Sequence, residues 1–518
     1  MIMKKCKIPA ALACALLAGL AVPAPADELP DEGQLWQILS EDGQDELHRR
    51  PIRPPRKTAQ PPSETERLLQ TPAGQRARSL FDLYRLARLA DPRLQAAEAR
   101  HRATLQARPK ARARLLPQLE ALAEVFQERT RYDGASSLFR DDDFRSSSYR
   151  LNLRQSLINA EHWRRLAQAD SEIARAEAEL QDARQALILR IADAYFAVLA
   201  AQDDLQYTLA EREAVAQQAR QARRRHQAGL ATVTDVREAQ AQLDLVRARV
   251  IDARNRLRLA RANLQMITGQ LPRVLARLRD DMPLTRPDPM NVDQWIRTAT
   301  ENNLRLRALR FASRAARQAV GVRSAGHLPT LDLQADYTVE DNDGGFREGR
   351  RTDGRVGLSL RLPLLAGGEV VAGEREADAL YAAARADLHA AQREVVRDTR
   401  SAYLDVLSGI ARIQALRSAL ASTRSAAVAA EKGFQAGTRT SVDVLNALRE
   451  AYRAKRDHAR ARYDYLLATL RLKRAAGLLG ERDLLAIERW LTRRGARAEY
   501  RPARSVGGLL RETKLGRR

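Results

Sequence analysis

The segment HQAGLATVTDVREA, running from His226 to Ala239, is matched by FQAGTRTSVDVLNA, from Phe434 to Ala447. The same offset of 208 positions joins Tyr195 in AYFAVL to Tyr403 in AYLDVL, and Gly269 in LQMITG to Gly477 in LKRAAG. Nearer the start of each copy the offset drifts: LLPQL at 115–119 answers HLPTL at 327–331, and LNLR at 151–154 answers LSLR at 358–361. Solenoid repeats have periods of about 20–50 residues, so this is a duplicated large module. The copies are expected at 79–291, closing with an equatorial segment, and at 292–478.

Within each copy the apolar period switches. Leu331, Leu333, Ala335, Tyr337 and Val339 alternate with Asp332, Gln334, Asp336 and Thr338. After the hydrophilic stretch DNDGGFREGRRTDG, Val356, Leu358, Leu360, Leu362 and Leu364 alternate with Gly357, Ser359, Arg361 and Pro363. Period-2 alternation makes a strand with one apolar and one polar face. The first copy repeats this with Leu119, Ala121, Ala123 and Val125, the loop YDGASSLFRDDD, then Tyr149, Leu151, Leu153 and Leu157. Hairpins are expected at about 116–158 and 328–365, with strands of about ten residues, the length that crosses a bilayer when tilted. Phe126, Tyr132, Phe144, Tyr149, Tyr337 and Phe346 gather near the strand ends. Soluble amphipathic hairpins carry the same pattern. Four strands cannot close a barrel, however, and open strand edges are prohibitive in lipid; spanning strands therefore require several copies to share one barrel.

The remainder reads as helix. From Asn159 to about Gln227 nothing breaks the pattern, with Leu166, Ile173, Leu180 and Leu187 spaced by sevens and Ile191, Val198 and Leu205 continuing a second seam. Thr399, Val406, Ile413, Leu420 and Ala427 do the same in the second copy. Heptads bury a narrow seam against a neighbouring helix and leave the rest solvated. Shorter helical stretches, 232–268 and 440–476, return after tight turns at 227–232 and 435–440. Stretches at 292–325 and 79–114 have the length to complete the return along the first and second long helix respectively.

The first residues set the compartment. Lys4, Lys5 and Lys7 precede an apolar run from Ile8 to Val22, and Ala24-Pro25-Ala26 places small residues before a cleavage point, the pattern of a secretory signal. Ala11-Leu12-Ala13 before Cys14 fits a lipobox poorly, so residues 1–26 are expected to leave, taking Cys6 and Cys14 with them. No later segment has 18 consecutive apolar residues. An exported chain of this kind is periplasmic or an outer-membrane barrel. Residues 27–78, with RRPIRPPRKTAQPPSE, read as a Pro-rich flexible extension, and 479–518 as a basic C-terminal segment whose cluster at 489–504 suits a disordered tail or anionic lipid.

The net charge of +24 would suggest nucleic acid in a cytoplasmic protein, but here the basic residues are spread along polar helix faces without an aromatic-interleaved patch. No nucleic-acid partner is expected. AGGEVVAGE at 366–374 lacks the Lys-Ser/Thr of a phosphate loop and reads as a backbone bend; the scattered histidines show no ligand spacing. No enzyme activity, metal or cofactor is expected. At the two tight turns, Gly229 and Gly437 suit a left-handed helix end, and Thr232 with Asp235, like Thr440 with Asp443, fits a capping box. Capping is what local physics assigns to both aspartates. A pore role follows only if symmetry gathers copies of Asp443, because a ring of carboxylates across a narrow pore favours cations.

Taken in order, SLFDLYRLARLADPRL, ARLLPQL, AYFAVLAAQDDL, AGLATVTDV, HLPTLDL, GLSLRLPLLAGG and GTRTSVDVLNA resemble the TolC family of outer-membrane channel proteins over about Leu80 to Leu485. The resemblance implies an α+β fold: long coiled-coil helices forming a periplasmic α-barrel, and four transmembrane strands per protomer contributing to a 12-stranded barrel shared by a homotrimer. It implies a passive exit duct for type I protein secretion, multidrug efflux or both, spanning from the outer membrane into the periplasm. The implied partners are outer-membrane lipid, a periplasmic adaptor and an inner-membrane ABC or proton-driven transporter. At the tip, Asp443 falls on the first of the family's two constricting aspartates and Arg439 on an arginine that holds the tip shut. Thr234 and Asp235 fall on the partners of the closing links. Asn446 stands where the family has its second aspartate and Phe434 where it has a tyrosine, which implies one carboxylate ring, weaker cation block and no hydroxyl link from position 434 to Asp235. The rival from another class is a periplasmic coiled-coil adaptor or scaffold with soluble hairpins.

Overall fold

The structure, a computed structural model, describes residues 78–131, 142–270, 272, 274–345 and 347–492. The expected signal at 1–26, the extension up to residue 77, the loop residues 132–141 with Tyr132, Phe346 and the tail beyond 492 lie outside the described residues.

The described residues open with three short helices where the sequence suggested one over 79–114. Helix α1 (Leu80–Ala90) starts at a Ser79–Asp82 capping box, α2 (Pro92–Leu105) follows directly and α3 (Ala107–Ala113) completes the set. The break has a local cause: the Asp91 carboxylate accepts from Leu94 N at 3.0 Å, capping a new helix, while Pro92 at the first helical position has no N–H to continue the old one. Strands β1 (Gln118–Thr130) and β2 (Asp142–Ile158) form the first hairpin. Helix α4 (Ala160–Gln227) then runs unbroken for 68 residues, about 100 Å, and α5 (Val233–Thr268) folds back along it. A short strand β3 (Arg277–Leu278) leads to α6 (Val292–Asn302) and α7 (Leu304–Ser324). Asn303 separates these two by capping α7 at Leu306 N, 3.1 Å, so the expected single helix over 292–325 is also divided. A 3-10 turn at Ala325–His327 enters the second hairpin, β4 (Thr330–Asn342) and β5 (Gly349–Arg361). Helices α8 (Glu369–Gln435) and α9 (Ser441–Ala475) repeat the long-and-return pattern. The described residues close with α10 (Glu481–Glu488) and β6 (Leu491–Thr492).

Both hairpins join in one antiparallel sheet ordered β1-β2-β4-β5. Its strands have 13, 17, 13 and 13 residues, longer than the expected ten because pairing continues into the hydrophilic stretches between them. In β5, pairing stops at Arg361, short of Leu362 and Leu364, because Pro363 carries no N–H for a ladder.

The heptad seams are where the helices meet. Leu187, Ile191, Val198, Val406, Ile413 and Ala427 are buried. Helix α4 packs on α5 and α7, and α8 packs on α9, α7 and α6. The N-terminal helices lie on α4 and not, as their length suggested, on α8. Leu80, Leu83 and Leu86 of α1 enter the largest core cluster beside Leu187 and Ile191 of α4, and Arg190 reaches the Asp91 cap at 2.6 Å. Tyr195, fully buried in this core, donates its hydroxyl to Ala276 O at 2.6 Å. An 18-residue window of α4 has a mean hydropathy of 1.2, enough to cross a membrane by composition, but its apolar residues between 187 and 199 belong to this core.

Part of the segment expected to be a basic tail is core as well. Leu484 and Ile487 of α10 and Leu491 of β6 are buried in the same cluster, and β6 pairs with β3. Closer to the tight turns a charged node crosses the packing. The fully buried Glu211 of α4 meets Arg249 of α5 at 3.0 Å and Arg456 of α9 at 2.7 Å.

Candidate functional site: the paired helix turns

Each long helix ends in the same way. After α4, Gly229 N–H donates to His226 O and Leu230 N–H to Arg225 O; after α8, Gly437 N–H donates to Phe434 O and Thr438 N–H to Gly433 O. These are Schellman ends, which need a left-handed residue: Gly229 has φ 73 and Gly437 φ 80. The returning helices begin with complete capping boxes. Thr232 N–H and hydroxyl donate to Asp235 Oδ2 at 3.0 and 2.8 Å, and Asp235 N–H donates to Thr232 Oγ1. Thr440 and Asp443 repeat these bonds at 3.0, 2.9 and 3.2 Å.

The caps set the charge of both carboxylates. Asp443 is held below the ordinary aspartate range by the backbone N–H of Thr440, then by its hydroxyl, with Arg439 adding a nearby positive charge. Asp235 is lowered by the Thr232 hydroxyl, then the Thr232 N–H, with help from Ser441 and the Arg225 charge. Both therefore stay anionic near neutral pH.

The two turns are tied together by Ser441 and Arg225, which the sequence did not single out, reaching Asp235 and Phe434, which it did. Ser441 Oγ donates to Asp235 Oδ1 at 3.2 Å, and the Arg225 guanidinium stands 4.7 Å over the Phe434 ring, a contact of about 0.5–1 kcal/mol at a partly exposed site. Leu445 of α9 inserts between α4 and α5 beside Val215, Ala219 and Leu243. The Arg439 that was expected to reach Thr234 or Asp235 does not bond either within one chain. Its stem crosses Gly433, where an added Cβ would lie 2.8 Å from the Arg439 Cγ. Arg439, Thr234 and Asn446 are exposed and have no hydrogen-bonded partner among the described residues. Asymmetry between the copies was the available signal: Ser441 aligns with Val233, Phe434 with His226, and Arg225 with Gly433.

The sheet supplies a second surface, and its register sorts the side chains. One face carries rows such as Leu119, Leu153, Ala335 and Val356, then Ala123, Tyr149, Val339 and Thr352. The opposite face carries Glu120, Asn152, Asp336 and Arg355 in one row and Glu124, Ser148, Glu340 and Arg351 in another. Cross-strand polar bonds stitch that face: Arg154 to Asp332 at 2.6 Å and Asn152 to Asp336 at 2.9 Å. Large apolar side chains stand exposed on the first face, Val356 at 79% and Leu360 at 70%. No metal-binding group of His, Cys, Asp or Glu is found among the described residues.

The sequence profile described as "Outer membrane efflux protein" matches residues 83–270 and 295–478. The chain belongs to the outer membrane efflux protein family. It is 35% identical over 415 residues to the outer membrane protein TolC of Vibrio cholerae, covering 79% of this chain and 93% of that one. It is 32% identical over 420 residues to the alkaline protease secretion protein AprF of Pseudomonas aeruginosa, covering 79% and 86%. Among solved structures, the outer membrane protein VceC of Vibrio cholerae superposes with a TM-score of 0.66 at 23% identity, covering 77% of this chain and 96% of that one. That fold agreement places the long helices and small sheet of this outer membrane efflux protein in the architecture of the family's channels. Its location is the outer membrane, and the family is one of transport proteins, not enzymes. The rival expectation of a periplasmic adaptor or scaffold is set aside by the same matches.

Proposed function

We propose that three copies of this outer membrane efflux protein form one passive exit duct. The four strands of each copy contribute to a shared 12-stranded barrel in the outer membrane, and the long helices carry the passage through the periplasm to the paired turns. The observation that carries this reading is the sheet: one face suits lipid and the other water, while β1 and β5 have open edges that lipid does not tolerate. Antiparallel strands with this dyad alternation are the pattern of a membrane barrel.

At the periplasmic end, copies of Asp443 form one ring of carboxylates that favours cations, with Asn446 adding a polar but uncharged ring. Ser441–Asp235 and Arg225–Phe434 hold the turns of each copy together, and Arg439 and Thr234 are left for contacts between copies. A periplasmic adaptor and an inner-membrane ABC or proton-driven transporter open this end and supply cargo. The two 208-residue-offset repeats, 79–291 and 292–478, are the structural units that repeat around the tunnel.

Relatives named for protease secretion and for efflux frame the test. Deleting the gene and comparing the secreted proteome and drug sensitivity with those of the parent separates the two cargo classes. Loss of a secreted protein, increased sensitivity or both is expected. A deletion strain unchanged in both would overturn the export reading.

A further inference from the structure

We infer that β1 of one copy and β5 of the next are selected for each other by Glu–Arg pairs across the seam of the barrel, so the partner that fits this surface is a second copy of this chain. The inference rests on the shared-barrel reading and specifies what brings the copies together.

The two outermost strands, β1 and β5, have open edges. Each step from β1 to β2, β4 and β5 is antiparallel, so β1 and β5 run in opposite directions. Placing β5 of one copy beside β1 of the next therefore continues the antiparallel order. Because side chains alternate, a closed barrel puts the polar faces of those two strands on the same side.

The polar faces of the two edges are opposite in charge. On β1 it presents Glu120, Glu124 and Glu128 and no basic residue; on β5 it presents Arg351, Arg355 and Arg361 with one acid, Asp353. Among the described residues Glu120, Glu128, Arg355 and Arg361 have no hydrogen-bonded or ion-paired partner. Glu124 accepts a long bond from Ser148 at 3.4 Å, and Arg351 pairs with Asp353 on its own strand at 2.7 Å. The inner strands contrast with this, since Arg154 and Asn152 of β2 reach Asp332 and Asp336 of β4. On the inner strands Arg150 and Glu340 of the same face also lack such a partner among the described residues, and Arg355 and Arg351 stand in register with Asp336 and Glu340 of β4. What sets the two edges apart is that the unpaired charge on each is of one sign, acidic on β1 and basic on β5.

The spacing makes the ladder sensitive to register. In an antiparallel pair, placing Glu124 opposite Arg355 also places Glu128 opposite Arg351. A slide of four residues gives Glu120 with Arg355 and Glu124 with Arg351, again two pairs. A slide of two between these registers puts Glu124 against Asp353 and forms no Glu–Arg pair, and a slide of two the other way puts Glu128 against Asp353 and keeps one pair, Glu120 with Arg361. The like-charge contact in each opposes slippage. Two β1 edges brought together would face glutamates with glutamates, so the charges also reject a two-fold dimer and favour head-to-tail closure.

The experiment compares the trimer fraction of detergent-extracted protein on native gels. The variants are Glu120→Lys/Glu124→Lys/Glu128→Lys, Arg351→Glu/Arg355→Glu/Arg361→Glu, and the two sets combined. Each single-edge set is expected to lower the ratio of trimer to monomer at least about tenfold, the scale of several cross-strand pairs acting together, and the combined set to restore it. Single-edge sets that trimerise like wild type, or a combined set that does not recover, overturn the inference. A wild-type protein that is not trimeric overturns the shared-barrel reading instead. A second measurement avoids charge reversal altogether: Glu124→Cys is paired with Arg355→Cys or with Arg351→Cys, in a chain whose native cysteines are Cys6 and Cys14. Oxidative cross-linking between copies is expected in one of the two, and its absence from both overturns the inference.

Discussion

Asp443 divides its carboxylate between two tasks. Oδ2 accepts both bonds of the capping box from Thr440, and Oδ1 has no hydrogen-bonded partner among the described residues. Asp235, in the equivalent place of the first copy, gives its Oδ1 to Ser441. One aspartate therefore joins the turns while the other keeps an oxygen free of them, available to the proposed carboxylate ring. Asp443→Asn removes the charge while leaving a cap-capable side chain, and is expected to abolish block of single channels by multivalent cations; Asn446→Asp is expected to strengthen it by adding a second ring. The cap within each copy lowers the Asp443 pKa while gathering like charges in a ring raises it, so block should hold at neutral pH and be lost on acidification as the ring protonates. Single-channel recording across pH in planar bilayers checks all three, and unchanged block in Asp443→Asn contradicts the assignment. The cap at Asp443 was legible in the sequence from Thr440-Ser-Val-Asp443. The Ser441 and Arg225 links were not, because each depends on which face of one turn lies against the other, and local patterning carries no such information.

At the scale of elements, the long helices were legible because their heptad seams and the absence of Pro favour one uninterrupted helix; α4 has no Gly either, and α8 continues through Gly373, Gly409 and Gly433. The divisions in the shorter stretches had local signals as well, Asp91-Pro92 and Asn303, which a reading by length passes over. What the pattern does not specify is partnership: a buried seam requires a neighbour without naming it, so length alone points α1 to α3 towards α8, while they pack on α4. The Glu211 node was invisible for the same reason, since its three members lie on α4, α5 and α9. It is consequential, because it joins the α4–α5 pair to α9 of the other pair by Arg456 Nη1 at 2.7 Å. Removing Glu211 leaves Arg249 without this partner and Arg456 with Asp204 alone at 3.9 Å; breaking a buried charge group typically costs about 3–5 kcal/mol. With Arg249 partly exposed, Glu211→Ala is expected to cost about 3 kcal/mol, read as a lower midpoint for thermal loss of helical circular dichroism. A midpoint equal to wild type would show that the node contributes nothing. Since moving α9 away from α4 breaks the Arg456 bond and spares Arg249, the same variant should also raise the open probability of the channel.

For the molecule as a whole, the sheet is incomplete by itself, with β1 and β5 at open edges. Alternation in the sequence announced strands with one apolar face, and the register converts that into an apolar band from Leu360 and Leu331 up to Val339 and Thr352. Neither the sequence pattern nor one copy's packing supplies neighbours for β1 and β5. In the proposed duct those neighbours come from the other copies, and the charged edges and the Asp443 ring would act there. The most direct test is therefore the number of chains in the membrane-extracted particle, measured by native mass spectrometry or light scattering corrected for detergent. Three copies in a particle recovered from the outer-membrane fraction is the predicted result. A monomer, or an elongated species recovered in the soluble periplasmic fraction, would contradict the shared barrel and the duct built on it.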